Sequence, residues 1–172
     1  ETDAYERASE KGIPRILFSA HGLPKKIVDG GDPYQWQVEQ TVQAVLEQLQ
    51  IDAVDSEVCY QSRVGPLEWI GPSTEDEIAR AGKEGVPLVI VPIAFVSENS
   101  ETLVELDIEY KTLAEESGVP HYVRVPALQT VDGFIEGLAN LCAMKKDESA
   151  VCSASGSRVC PKRFSGCPVT SS

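Results

Sequence analysis

Short apolar runs rich in β-branched residues alternate along this chain with longer stretches whose apolar residues recur every three or four positions, which is the pattern of strands alternating with helices. Arg15–Ser19 (RILFS) predicts a first strand. Asp32, with Pro33 at the first helical position, then opens a helix whose apolar stripe is Val38, Val42, Val45, Leu46 and Leu49. Val54–Tyr60 predicts a second strand. After a loop punctuated by Gly65-Pro66 and Gly71-Pro72, Ser73 or Thr74 caps a helix running through Ala81, and Pro87–Ile93 (PLVIVPI) is a continuous apolar run suited to a buried parallel strand. A helix over roughly Asn99–Glu116 stops at Gly118, His121–Val125 gives a fourth strand, and Val131–Lys145 gives a last helix. The fold class that follows is α/β, a Rossmann-like parallel sheet flanked by helices. The polar stretch Glu1–Gly12 reads as a helix end or linker. Past residue 145 periodicity gives way to Ser, Gly, Cys and Pro, so the division is an α/β domain over 1–145 and an irregular cysteine-rich tail over 146–172.

Composition narrows the function. At 172 residues, 42% hydrophobic and 24% charged, the chain is sized for one domain with its own core. No apolar run approaches bilayer length, and Glu1–Lys11 holds no apolar signal segment, so a cytoplasmic location is expected. The first residue is Glu rather than Met, which fits a piece of a longer protein. The net charge of −12 argues against a nucleic-acid surface and favours a cation as partner. Gly82-Lys83 lacks the earlier glycine of a phosphate-binding loop, Glu77 standing in its place, and no GxGxxG follows a strand.

Ligands of open parallel sheets bind beyond the C-terminal ends of the strands. The first strand runs into Ser19-Ala20-His21-Gly22-Leu23-Pro24, which puts a histidine at a strand mouth. A neutral imidazole there can bind a metal or carry a proton, or it can simply hydrogen-bond its own loop. PLVIVPI leads into a helix bearing Glu101, Glu105 and Glu109 at i, i+4 and i+8, a spacing that places three carboxylates on one face. Like charges at that spacing cost a few tenths of a kcal/mol per pair, so the ladder is either a solvated face or a site for a cation or shared protons. Glu101 falls in the first turn after a buried strand, on the same sheet edge as His21, and the pair suits proton abstraction and divalent iron. Tyr60–Pro72 is a glycine- and proline-punctuated loop in which Trp69 either walls a flat apolar ligand or fills the core.

Four of the five cysteines, Cys142, Cys152, Cys160 and Cys167, crowd the end of the chain, with Pro161 and Pro168 directly after two of them. Four thiolates on such a segment can surround an iron–sulfur cluster; a zinc site without a CxxC knuckle and two disulfides are the other readings. Cys59, in a strand, reads as a buried apolar filler.

The segments SAHGLP, GDPY, QSRVGPLEWIGP and PIAFVSENSETLVELDIEY, in this order over about residues 13–140, closely resemble the C-terminal half of ferrochelatases. The resemblance implies two similar Rossmann-like domains with a porphyrin between them, this chain being the second and an N-terminal half its partner. It implies insertion of Fe2+, the substrate metal, into protoporphyrin IX, with His21 as base or iron ligand and Glu101 as its acid partner. Glu105 and Glu109 correspond to an acidic line serving protons or metal, and Gln61, Ser62 and Trp69 to the porphyrin-pocket loop. It also implies a 2Fe–2S cluster on the tail cysteines and peripheral membrane contact made largely by the other half. Asn99 stands where some members of the family carry a second histidine, and an amide oxygen is a weaker iron ligand. Two alternatives stand beside this: a half-length homodimeric chelatase, and an iron–sulfur or metal-binding protein on an inactive chelatase scaffold.

Overall fold

The computed structural model describes residues 2–49, 51, 53–146, 153 and 155–169. Helix α1 (Thr2–Ser9) precedes strand β1 (Arg15–His21), the short helix α2 (Lys25–Asp29) and helix α3 (Tyr34–Gln48). Strand β2 (Asp55–Gln61), helix α4 (Thr74–Glu84) and strand β3 (Leu88–Pro92) follow. A π-helical segment, Glu101–Glu109, runs directly into helix α5 (Tyr110–Ser117), and strand β4 (Tyr122–Arg124) and helix α6 (Asp132–Lys145) complete the order. The four strands pair in parallel in the order β2-β1-β3-β4. The expected α/β sheet flanked by helices is present.

β1 is central because six consecutive residues, Arg15 to Ala20, can be buried from both sides. Period-2 alternation deals them to two cores. Leu17, Cys59, Leu88 and Ile90 face α4, the π-helical segment and α5, where Ile78, Leu106 and Ala114 are fully buried. Ile16, Phe18, Val89, Val91 and Val123 face α3 and α1, meeting Val42, Ala4 and Ala8. Arg15 is the polar exception at the lower end of the sheet, and Asp55 and Glu84 accept from its guanidinium at 2.9 and 2.8 Å.

Several boundaries differ from expectation for local reasons. The stretch read as a helix end or linker is α1, docked on the sheet through buried Ala4 and Ala8, a contact too sparse to show as a stripe in eight residues. α2 has no buried residue and so left no apolar signal. Asp32 does serve the start of α3, its Oδ1 accepting from the Tyr34 N–H at 2.8 Å. Ser73 is the cap of α4, accepting from the Asp76 N–H at 3.0 Å with Glu75, Asp76 and Glu77 complementing the helix dipole. That helix continues past Ala81 to Glu84 and ends at left-handed Gly85. The helix expected from Asn99 begins at Glu101 and is π-helical for its first nine residues, ending after α5 at left-handed Gly118. α6 forms as expected but buries none of its residues: Ile135, Leu138 and Leu141 are each 44% exposed and Met144 64%. The described tail has no helix or strand, yet it packs back on α3.

Candidate active site

His21 is the last residue of β1 and the first of that strand to reach solvent. Its Nδ1 lies 2.7 Å from the Gly22 carbonyl oxygen. A carbonyl only accepts, so Nδ1 carries the proton and the neutral tautomer leaves the Nε2 lone pair directed away from the loop. The peptide unit joining His21 to Gly22 is held at both ends: Tyr34 Oη donates to the His21 carbonyl at 2.9 Å, and the Gly22 N–H donates to the Gln61 carbonyl at 2.7 Å. Gly22 is required here, because a Cβ would sit 2.9 Å from the Gln61 carbonyl oxygen and 3.2 Å from Trp69 Cε3. The loop from β1 is laced to the loop after β2, the Lys25 N–H donating to Glu68 and the Ile70 N–H to Leu23 at 2.8 and 3.1 Å. Trp69 thus stands against the His21–Gly22 turn, its indole Nε1 buried with no hydrogen-bond partner among the described residues.

Across the sheet edge, the three carboxylates of the π-helical segment occupy three different environments. Glu105 turns toward the end of β2 and accepts four bonds: Gln61 Nε2 at 2.9 Å, the Ser62 N–H at 2.7 Å, Ser62 Oγ at 2.5 Å and Tyr110 Oη at 2.9 Å. Glu101 is half-buried at the crevice, and Ser100 Oγ donates to it at 2.9 Å. Its own backbone N–H, the Ser100 hydroxyl and the nearby His21 hold its carboxyl below the usual range, so it is ionised at neutral pH. Glu109 is exposed. The expected single acidic face is therefore resolved into a clamped, a half-open and a solvated carboxylate. Thr102, Leu106 and Tyr110, each one residue after a carboxylate, are buried, so the row runs along the border of the buried face and its three members meet different neighbours.

Gln61 and Ser62, expected at the porphyrin pocket, face Glu105. Gln61 is fully buried; its Nε2 also donates to the Glu101 carbonyl at 2.9 Å, and its Oε1 accepts from Ser19 Oγ at 2.8 Å. Ser19 and Thr74 hydroxyls pair at 2.9 Å, and Thr74 Oγ1 donates to Cys59 Sγ at 3.3 Å. Cys59 is buried as expected, and burial pushes its thiol up to about 12. The spacing in the sequence gave no sign of this polar relay behind the site, nor of Tyr34 and Tyr110; only the GDPY and DIEY segments contain the two tyrosines. Asn99 caps the π-helical segment reciprocally, its Oδ1 accepting from the Thr102 N–H at 3.2 Å while its own N–H donates to Thr102 Oγ1 at 2.9 Å.

Of the tail cysteines, Cys160 is half-buried beside Gln37 and Cys167 is buried; burial first, then the influence of Cys167, pushes the Cys160 thiol up. Cys142 is exposed on α6, and Cys152 lies outside the described residues. Among the described residues no three His, Cys, Asp or Glu side chains converge in a metal-binding group. A second feature is an apolar cleft of about 810 Å³ between α3 (Ala44, Val45, Leu49) and the ends of β3 and β4 (Ile93, Val125), reaching Val131 at the start of α6.

The parallel sheet with a histidine at the mouth of its first strand defines a chelatase-like α/β domain. The solved structure of a putative cobalamin (vitamin B12) biosynthesis CbiX protein from Marinobacter aquaeolei VT8 superposes with a TM-score of 0.56 over 78% of this chain and 98% of that one; at 15% identity the likeness is one of fold. A family model for ferrochelatase matches residues 2–146, and the chain belongs to the ferrochelatase family. It is 54% identical over 157 residues to a ferrochelatase of Rickettsia bellii (strain OSU 85-389), covering 89% of this chain and 44% of that protein. It is 52% identical over 155 residues to that of Pelagibacter ubique (strain HTCC1062), covering 90% and 45%. The chain thus spans less than half the length of the curated relatives it matches.

Proposed function

We propose that this chain is the C-terminal, base-bearing half of a ferrochelatase and that, joined to the remainder of such an enzyme, it inserts Fe2+ into protoporphyrin IX. The observation that carries the reading is the His21 imidazole, with Nδ1 committed to Gly22 and Nε2 free beside an ionised Glu101. Replacing two pyrrole protons by one Fe2+ releases two protons. His21 Nε2 accepts them one at a time: the first imidazolium, stabilised by the Glu101 carboxylate, gives its proton up by way of Glu101 toward solvent at Glu109 and is then neutral again for the second. Trp69 walls the macrocycle, while Gln61 and Ser62 brace the wall from behind through Glu105. Glu105 serves as a latch in this scheme, since iron coordination there would strip four donors of their acceptor.

The N-terminal half belongs on the apolar cleft and the open face of α6, which together leave Ile135, Leu138, Leu141 and Met144 uncovered. A cytoplasmic location and peripheral membrane contact, the latter made by that other half, go with the same reading. A 2Fe–2S cluster in the tail would be held by Cys142, Cys152, Cys160 and Cys167; when bound it supplies one-electron chemistry and visible absorbance. The coverage of 98% of the CbiX chain favours one second reading, a homodimer of this chain in which a second copy supplies the missing half.

The deciding experiment is anaerobic Fe2+ insertion into protoporphyrin by this chain alone and with an N-terminal half supplied, after a visible spectrum and a solution mass. Activity only with the supplied half, lost in Glu101→Gln, supports the proposal. Activity of a dimer of this chain alone supports the second reading. No activity in either arrangement, with iron–sulfur absorbance present, leaves a metal-binding protein on a chelatase scaffold.

A further inference from the structure

The tail is not a free appendage. The Gly166 N–H donates to the Gly31 carbonyl at 3.0 Å, and Ser165 Oγ reaches the Gly30 carbonyl at 3.4 Å. Phe164 is buried with its ring 5.9 Å from that of Trp36, and Gln37 Nε2 reaches Cys160 Sγ at 3.7 Å. Arg158 knots the tail on itself, donating to the carbonyls of Cys160, Pro161 and Phe164 at 2.9, 3.1 and 2.6 Å. The fit is close: Gly31 has φ +100°, and a Cβ there would overlap Ser165 Oγ.

What the tail grips is the turn that carries Tyr34. Gly30 and Gly31 lead into Asp32, whose Oδ1 fixes the Tyr34 N–H, and Trp36 lies two residues further along the same helix. Tyr34 Oη in turn holds the carbonyl of the His21–Gly22 peptide unit, whose N–H is held by Gln61. If that unit swings, the Gly22 carbonyl leaves Nδ1, and the imidazole loses both its tautomer and its aim.

We infer that the cysteine tail is a positioning element for His21, with Tyr34 as the relay between the docked tail and the imidazole. The inference rests on His21 being the reacting base, but its test reads the imidazole directly and does not depend on turnover. The chain has two histidines, and the other, His121, precedes β4 at the opposite end of the sheet, where its carbonyl accepts from Leu88 at 2.8 Å. The experiment is NMR of the ring nitrogens of both imidazoles at one fixed pH in this chain, in Tyr34→Phe, in Phe164→Ala and in the double variant, which reads the nitrogen that carries the proton.

The Gly22 carbonyl holds the proton on Nδ1, so loosening that contact lets the proton spread to Nε2. The expected result is a His21 Nδ1 signal moved toward its unprotonated position in each single variant, no further movement in the double variant, and unchanged His121 signals that report an intact sheet. Gly166→Ala, whose Cβ would press to 3.1 Å from the Gly31 carbonyl oxygen, produces the same shift if Phe164→Ala loses its fold. A His21 Nδ1 signal that moves in Tyr34→Phe and stays in both tail variants overturns the inference, as does full additivity in the double variant. Iron insertion that survives His21→Ala would remove the base assignment while leaving the tail-to-imidazole coupling intact, so the two failures are distinct.

Discussion

Glu101 and Glu105 stand four residues apart on the same helical segment, carry the same side chain and face the same end of the sheet. Glu105 meets two donors from Ser62, one from Gln61 and one from Tyr110, so all its accepting directions inside the crevice are engaged. Glu101 meets its own N–H and the Ser100 hydroxyl and its carboxylate makes no bond to another element among the described residues, while the charge of His21 also favours its ionised form. The number and origin of the donors separate the two roles. Donors that come from another strand make a carboxylate a fastening between elements; donors from its own helix end leave it free to meet a proton or a cation. The π-helical segment is pinned at Glu105 and offered to the crevice at Glu101, and His21 belongs with Glu101, since its loop uses Nδ1 and leaves Nε2 free.

The largest effect that tests this contrast is on chemistry. His21→Ala in the assembled enzyme should slow iron insertion by about 10²–10⁴-fold, the usual worth of a positioned general base. Because His21 is exposed, the same substitution should change the unfolding free energy by less than about 0.5 kcal/mol. An anaerobic stopped assay and a urea titration read the two halves of the statement. A variant that loses stability and activity together would place His21 with Glu105 as a structural residue.

Stability should show the opposite order. Glu105→Ala strands donors from Gln61, Ser62 and Tyr110, and with a desolvation penalty of about 1–3 kcal/mol for a buried unpartnered group, partly relieved by entering water, the net cost is about 2–4 kcal/mol. Glu101→Ala should stay within about 0.5 kcal/mol of the wild type. Urea midpoints at pH 7 measure both; a Glu101 variant weaker than the Glu105 variant would reverse the comparison. Asn99→Ala removes the reciprocal cap with Thr102 and should cost about 1 kcal/mol, an intermediate value that sharpens the scale between the two carboxylates.

The sheet and its order of elements could be read from the chain because burial there follows period: PLVIVPI and RILFS are buried strands, and the stripe from Val38 onward is the inner side of α3. His21 and Glu101 could be picked out as candidates because one ends β1 and the other opens the helical segment reached from β3, at the edge where parallel sheets bind ligands. The different fates of Glu101, Glu105 and Glu109 could not be read from their spacing. They depend on which donors the neighbouring elements bring to each, above all Ser62, which the backbone holds at φ +59° and whose N–H and hydroxyl both reach Glu105. Nor does apolar periodicity carry the docking of the tail, which rests on Phe164, Arg158 and two glycines without any repeat. α6 shows the reverse case: Val131–Lys145 could be read as a helix, yet among the described residues none of its side chains is buried.

The smallest effect is electrostatic and concerns Glu101 alone. Its carboxyl is held below its ordinary 4.5, so the folded state favours the ionised form more than the unfolded chain does. A depressed folded value contributes stability that is complete above the unfolded value and is lost as pH falls through the folded one. Wild type should therefore exceed Glu101→Gln by a small margin at pH 7, and the margin should shrink as pH falls from the ordinary 4.5 through the depressed folded value, below which the carboxylate is protonated in both states. The contribution of His21 to the depression is a charge interaction at an exposed site, so it should shrink in 1 M salt, where the screening length falls to about 3 Å, while the parts due to the local N–H and Ser100 hydroxyl persist. Urea titrations of both proteins at pH 7, 5 and 3 in low and high salt measure this. A Glu101→Gln variant more stable than wild type at neutral pH would mean that the open carboxylate is held against a cost to the fold, and the contrast with Glu105 would then be sharper than the hydrogen bonds alone require.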